Sequence, residues 1–234
     1  MVKGYSARQI REAEAPHLAA GEPLMARAAA ALARECERIL GDAGLSPAHS
    51  RVVVLVGGGN NGGDALFAAA TLATRGASVE LFRTSSHVHE DGLRAALAAG
   101  AVELKAETVP AAKLAARAAS ADLIIDGILG TGTSADPRLR GAARDIVTAM
   151  VAGRVARSSK AAVVAVDIPS GIHPDTGEVP DPDAVLHADA TVTFGGVKAG
   201  LLLGPGKEFA GTVRLVDIGL AAELEGLTPL VEIP

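Results

Sequence analysis

The 234-residue chain has no tryptophan, one tyrosine and four phenylalanines, so aromatic rings make up only 2% of it. Proteins that hold single-stranded nucleic acid stack its bases on such rings, and too few are present for that. No long Lys/Arg cluster occurs, and the formal net charge is −5. A surface of that sign repels a phosphate backbone, so nucleic acid is not an expected partner. Cysteine occurs once, at Cys36, which leaves no internal disulfide and no cysteine-based metal site. A reducing cytoplasm is the simplest setting. No apolar run approaches the ~18 residues that cross a bilayer, so no membrane span is expected. Met1 to Ile10 is mixed and polar, without the apolar stretch of a signal peptide.

What the chain does have is 49% hydrophobic residues in a length suited to one α/β domain. Ser6 to Leu40 reads as two helices broken near Gly21-Glu22-Pro23, the second with Leu24, Ala28, Leu32, Cys36 and Leu40 on one face. Beyond the loop Gly41 to Ser50, strands and helices alternate: strand 52–56, helix 63–75, strand 78–82, helix 89–99, a short strand 101–104, helix 110–119, strand 121–125, helix 138–152 and strand 162–166. Two further strands, 190–194 and 212–216, are joined by Gly/Pro-rich loops. This alternation predicts a Rossmann-like three-layer α/β/α sandwich with a mostly parallel central sheet and N-terminal helices. Residues 1–226 form the expected domain, and the extended, proline-ended stretch 227–234 reads as a linker-like tail.

Three buried-type strands end in polar clusters. Strand 52–56 runs into Gly57-Gly58-Gly59-Asn60-Asn61-Gly62-Gly63-Asp64. Strand 121–125 runs into Asp126-Gly127-Ile128-Leu129-Gly130-Thr131-Gly132-Thr133, and strand 162–166 into Asp167-Ile168-Pro169-Ser170-Gly171. In an open parallel sheet these ends share the edge where ligands bind, and a glycine turn opening a helix suits an anion. Asp126 and Asp167 directly follow apolar runs, where a carboxylate is costly to bury without a partner. Each is either a turn cap or part of a site; two of them beside glycine turns and Asn60-Asn61 favour the site. Gly57, Gly59 and Gly62 form a Gly-x-Gly-x-x-Gly pattern, which alone is a weak dinucleotide signal. Glu80 lies inside the second strand, whose exit, Arg83-Thr84-Ser85-Ser86, suits an NADP phosphate or a plain polar loop equally. Asn61, Asp126 and Ser170 offer one carboxylate with neutral oxygens, a set suited to a weakly hydrated monovalent cation. Cys36 reads as core, His87, His89 and His173 as loop histidines, and Arg138, Arg140 and Arg144 as a solvated helix face.

Four motifs in order, Gly59 to Asp64, Asp126 to Gly132, Val166 to Gly171 and Thr193-Phe194-Gly195-Gly196-Val197-Lys198-Ala199-Gly200, stand behind Leu24-Met25. In them the chain resembles the YjeF N-terminal domain family, the NAD(P)H-hydrate epimerases, over nearly its whole length. The resemblance implies an isomerase of nicotinamide cofactor repair. Such an enzyme interconverts the R and S forms of NADHX and NADPHX, hydrated on the nicotinamide ring, so that an S-specific dehydratase repairs both. It implies that Asn60, Asn61, Gly62, Gly63, Asp64, Gly130, Thr131, Gly132, Thr133, Ser134, Ala135 and Asp136 hold the hydrated dinucleotide. Asp167 would contact it near the reacting ring, Lys198 would face the same pocket, and Asn61, Asp126 and Ser170 would bind a potassium ion. The partners it implies are a second copy in a homodimer and a C-terminal or separate ADP/ATP-dependent dehydratase. The chain departs from the family pattern at Ala65, where a third glycine is common, and at Ala26, where Leu-Met is followed by glutamate.

The carbon inverted in such a reaction carries a hydroxyl beside the ring nitrogen. Nitrogen can expel the hydroxyl, and water returning to the other face inverts the centre. The protein must then protonate one oxygen, deprotonate the other and stabilise the cation between them. Asp167 suits either the proton transfer or the charge stabilisation, and Lys198 is a candidate acid or phosphate contact; ring opening and closing is an alternative route. The competing function is a non-catalytic nucleotide-binding or protein-interaction scaffold of the same fold.

Overall fold

The computed structural model describes residues 1–132, 136–157 and 161–234. Its strands are β1 (Val2–Tyr5), β2 (Arg51–Val56), β3 (Ser78–Arg83), β4 (Val102–Lys105), β5 (Leu123–Gly127), β6 (Ala162–Val166), β7 (Ala190–Phe194), β8 (Val197–Lys198), β9 (Thr212–Val216) and β10 (Val231–Ile233). The helices are α1 (Ala7–Ala19), α2 (Leu24–Asp42), α3 (Asn60–Thr74), α4 (Glu90–Ala98), α5 (Ala111–Ala118), α6 (Gly141–Arg157), α7 (Gly206–Phe209) and α8 (Ala221–Glu225).

Successive side chains of a strand face opposite ways, and here both faces of the central strands are apolar. Val52, Val54 and Val56 of β2 join a core shared with α2 and α3, through Leu32, Cys36, Leu66 and Leu72. Val53 and Leu55 join a second core with Leu114 of α5 and Ile146, Val147 and Met150 of α6. Burying each such side chain is worth ~1.5–3 kcal/mol, and two separate apolar faces demand helices on both sides of the sheet. The seven strands of that sheet are all parallel, in the order β4-β3-β2-β5-β6-β7-β9. The Rossmann-like α/β/α sandwich expected from the alternation is therefore present.

The strand order sets where a ligand can sit. From β2 the chain steps outward to β3 and β4, then returns to the other side of β2 as β5. Loops leaving β2 and β5 diverge over opposite faces, and the crevice between them is the usual binding position in open α/β sheets.

Some boundaries differ from the pattern reading. α3 starts at Asn60, three residues earlier than expected, so Asn60 and Asn61 form its first turn rather than a loop. Asp126 lies inside β5, because the ladder with β2 extends through Leu55–Asp126 and Val56–Gly127. The tail is extended but does not lead away from the domain: Val2 pairs with Ile233 and Gly4 with Val231, making β10 an edge of a small sheet ordered β10-β1-β8. Strands of two to four residues carry no readable periodicity, so this sheet was invisible in the sequence. No helix among the described residues is long and apolar enough to cross a membrane.

Candidate active site

The carboxyl ends of β2, β5 and β6 open into a cavity of about 820 Å³, the size of a small-molecule site. Arg11, Glu14 and Leu18 of α1 and Leu24, Met25 and Ala28 of α2 form one wall; Asn60, Asn61 and Asp64 of α3 form another. α1 is fixed at both ends. Its N-terminus carries a capping box between Ser6 and Gln9, and Asp175 accepts from Ala7 N at 2.6 Å. At its other end His17 lies 2.8 Å from Glu22 and 3.0 Å from Glu223 of α8. Arg11 donates to the Thr131 carbonyl at 2.9 Å, joining α1 to the loop after β5.

Asp167 sits at the centre. It is the one non-glycine residue with positive φ among those described, at +68°. An L-residue adopts that conformation at a cost of ~1–2 kcal/mol, and here the turn aims its carboxylate at β7 and β8. Oδ1 accepts from Thr193 Oγ1 at 3.1 Å, from Phe194 N at 3.2 Å and from Lys198 Nζ. Lys198 is 1% exposed and also donates to the Phe194 carbonyl at 2.8 Å. The small sheet delivers it there: β8 pairs with β1, with Lys198 opposite Tyr5. Two buried charges survive only when paired and hydrogen-bonded in this way.

Asp126 is 2% exposed and has a different neighbourhood. It accepts from Ser170 Oγ at 2.7 Å, Ser170 N at 2.8 Å and Ile128 N at 3.3 Å. All three donors are neutral, and among the described residues no Lys or Arg forms an ion pair with it. Burial pushes its carboxyl above the usual range, and the Ser170 and Ile128 hydrogen bonds pull it partly back. Asn61 joins this group through Leu129, whose carbonyl accepts from Asn61 Nδ2 at 3.3 Å and whose N donates to Ser170 Oγ at 2.9 Å. Asn61 Oδ1 lies over Gly130, where a Cβ would come within 2.2 Å of it.

Asp64, 7% exposed, has an Oδ1 without a hydrogen-bond partner among the described residues. Burial pushes its carboxyl up to about 8, with the charges of Asp167 and Glu14 adding and Lys198 opposing. Burial likewise raises Glu14, against the pull of Lys198.

The site residues expected from the sequence divide into groups. Asn60, Asn61, Asp64, Gly130, Thr131, Gly132, Asp167 and Lys198 line the cavity. Asp126 and Ser170 lie bonded together directly behind Leu129. Gly62 packs on the Gly57 carbonyl and Gly63 on Met25. Asp136 is engaged by Arg138 N at 3.2 Å and the Arg140 side chain at 2.9 Å. Thr133, Ser134 and Ala135 lie outside the described residues. Arg11 and Glu14 were missed. The signal was a carboxylate one helical turn beyond buried Ile10, on the inward face of α1. The other histidines have local work: His89 caps α4, accepting from Gly92 N at 3.1 Å, and His173 accepts from Asp175 N at 3.2 Å.

Residues 21–200 match the family model described as YjeF-related protein N-terminus. The chain belongs to that family. Among its YjeF-related relatives is the NAD(P)H-hydrate epimerase of Clavibacter michiganensis, 52% identical over 228 residues that cover 97% of this chain and 94% of that one. Another is the bifunctional NAD(P)H-hydrate repair enzyme Nnr of Mycobacterium tuberculosis, 41% identical over 219 residues covering 92% of this chain but 41% of the relative. The crystal structure of yeast ynu0, YNL200c, superposes with a TM-score of 0.72 at 20% identity, covering 92% of this chain and 88% of that one, and so shares the fold. The YjeF-related match begins beyond α1, the helix that brings Arg11 and Glu14 to the cavity.

Proposed function

We propose that the protein is an NAD(P)H-hydrate epimerase that inverts the hydroxyl-bearing ring carbon of hydrated NADH and NADPH. The observation that carries this reading is 52% identity, along 97% of the chain, to a relative bearing that name. The cavity chemistry supports it. The N-terminus of α3 at Asn60 suits the pyrophosphate. Leu24, Met25 and Ala28, with the exposed Leu18 at the edge, give the hydrated ring an apolar wall. Asp167, held by Lys198, supplies a fixed negative charge for the ring cation and an acceptor for a proton from water. The intact Asn61, Asp126 and Asp167 speak against a non-catalytic scaffold. A cytoplasmic setting, a homodimer and cooperation with a dehydratase belong to the same proposal; the fused relative Nnr supports the last.

A potassium ion is proposed at Asn61, Asp126 and Ser170. The buried Asp126 carboxylate, facing only neutral donors, and the glycine cradle beside Asn61 Oδ1 fit a weakly hydrated monovalent cation better than magnesium. When bound, such an ion neutralises Asp126 and ties the loop after β5 to α3. Replacing lithium by potassium chloride at ten times its dissociation constant stabilises the fold by ~1.4 kcal/mol, or ~3–5 °C in Tm. Asp126→Asn abolishes that difference; equal melting in both salts for the wild type removes the ion from the proposal.

The reading itself is tested with purified R-NADPHX, excess S-specific dehydratase with its nucleotide, and potassium, following NADPH recovery at 340 nm. Recovery far above the spontaneous rate is expected. Recovery at the spontaneous rate by folded protein shifts the weight to a binding role.

A further inference from the structure

Among the described residues, five charged side chains line the cavity: Arg11, Glu14, Asp64, Asp167 and Lys198. Three have visible partners: Lys198 and Asp167 hold each other, and Arg11 bridges to Thr131. Glu14 is only half-buried and feels the charges of Lys198 and Arg11. Asp64 alone among them is a buried carboxyl with an oxygen that meets no hydrogen-bond partner among the described residues. A buried polar atom left without a hydrogen bond costs ~1–3 kcal/mol, and natural cores retain few such atoms without a reason.

We propose, on the epimerase reading, that Asp64 is the proton donor of the reaction, acting on one face of the hydrated ring while Asp167 acts on the other. The ring nitrogen pushes out the hydroxyl, whose C–O bond breaks with its electron pair on oxygen. That oxygen takes the Asp64 proton and departs as water, leaving an iminium. Water adds to the opposite face, the new C–O bond forms, and its surplus proton passes to the Asp167 carboxylate. One hydroxyl is lost and one gained, and one proton moves from Asp64 to Asp167. Reaction in the other direction returns the proton, as does exchange with solvent.

The surroundings keep Asp64 protonated for this task. Glu14 approaches from α1 and Asp167 from the end of β6; both disfavour a third negative charge. Lys198 on β8 opposes them but is committed to Asp167 and the Phe194 carbonyl. The helix dipole of α3 also favours the anion, but Asp64 is the fifth residue of that helix, where the effect has faded. Burial with two neighbouring carboxylates prevails, and the carboxyl is pushed up to about 8. A carboxylic acid neutral at pH 7 is the form that can donate.

The test compares wild type with Asp64→Asn, which keeps shape but has no acidic proton. Wild-type kcat should fall as pH rises through about 8. In Asp64→Asn, kcat should drop ~100-fold or more with KM within ~3-fold, and that alkaline fall should vanish. A melting series gives a readout independent of turnover. Asp64 binds its proton more tightly folded than unfolded, so the stability this confers is full below about pH 4 and lost as pH rises to about 8. The Tm of Asp64→Asn relative to wild type should therefore climb across that window. If wild type leaves the R form unconverted, the epimerase reading fails and takes this assignment with it. If wild type converts it and Asp64→Asn does so within ~3-fold, or with the same alkaline fall, the assignment alone is overturned.

Discussion

Lys198→Met is expected to melt ~6–20 °C below wild type at pH 7. Removing one partner of a buried ion pair costs ~3–5 kcal/mol, because the other charge is stranded, and in a domain of this size each kcal/mol moves Tm by ~2–4 °C. Here the stranded group is Asp167, buried and already held at a φ of +68°. The loss also removes the cation that opposes the raised carboxyls of Asp64 and Glu14. The double variant Lys198→Met/Asp167→Asn separates charge from packing. Asparagine tolerates the left-handed conformation, and its side-chain oxygen keeps the hydrogen bonds from Thr193 and Phe194 N. The double variant should therefore regain most of the lost stability, yet neither variant should turn over substrate. Equal instability of single and double variants in urea denaturation would show that shape, rather than charge, is what Lys198 supplies.

The sheet and the carboxyl-edge clusters were legible because long buried strands write themselves as apolar runs, and polar residues after Val56 and Val166 then stand out. Asp126 was legible as a buried carboxylate but not as a strand residue, since the β2–β5 ladder outlasts the apolar run that marks it. The contribution of α1 was illegible for another reason. Glu14 meets Asp64 only because the chain folds α1 across the sheet edge, and its local pattern is that of an ordinary amphipathic helix with one carboxylate on the inward face. Lys198 was found through its motif, but its route into the cavity runs through a strand of four residues at the other end of the chain. The Ala65 departure is tolerated because its methyl packs against a glycine: a Cβ on Gly127 would come within 2.6 Å of it.

The Gly-x-Gly-x-x-Gly pattern holds three glycines with three different reasons, and a pair of variants should pull them apart. A Cβ on Gly57 would stand 1.8 Å from the Ile128 carbonyl oxygen, and one on Gly62 would stand 2.2 Å from the Gly57 carbonyl oxygen. Both obstacles are backbone, so neither can rotate away. Gly57 is also tied to Gly127 by a 3.1 Å backbone hydrogen bond that continues the β2–β5 pairing. Gly57→Ala must push those two loops apart, and a loss of ~4 kcal/mol or more is expected, at the far end of what single substitutions do. Gly59 has nothing among the described residues within 4 Å of where its Cβ would be, has an extended φ of −98°, and lines the cavity at the head of α3. Gly59→Ala should cost stability no more than the ~1 kcal/mol of a poorer helix cap. Its methyl instead stands where an anion would approach the first N–H groups of α3, so its effect should fall on KM. Equilibrium unfolding and epimerase kinetics on the two variants give opposite patterns if Gly57 is there for the fold and Gly59 for the ligand. Similar losses of stability in both would mean that the whole turn, and not the Ile128 contact, is the sensitive element.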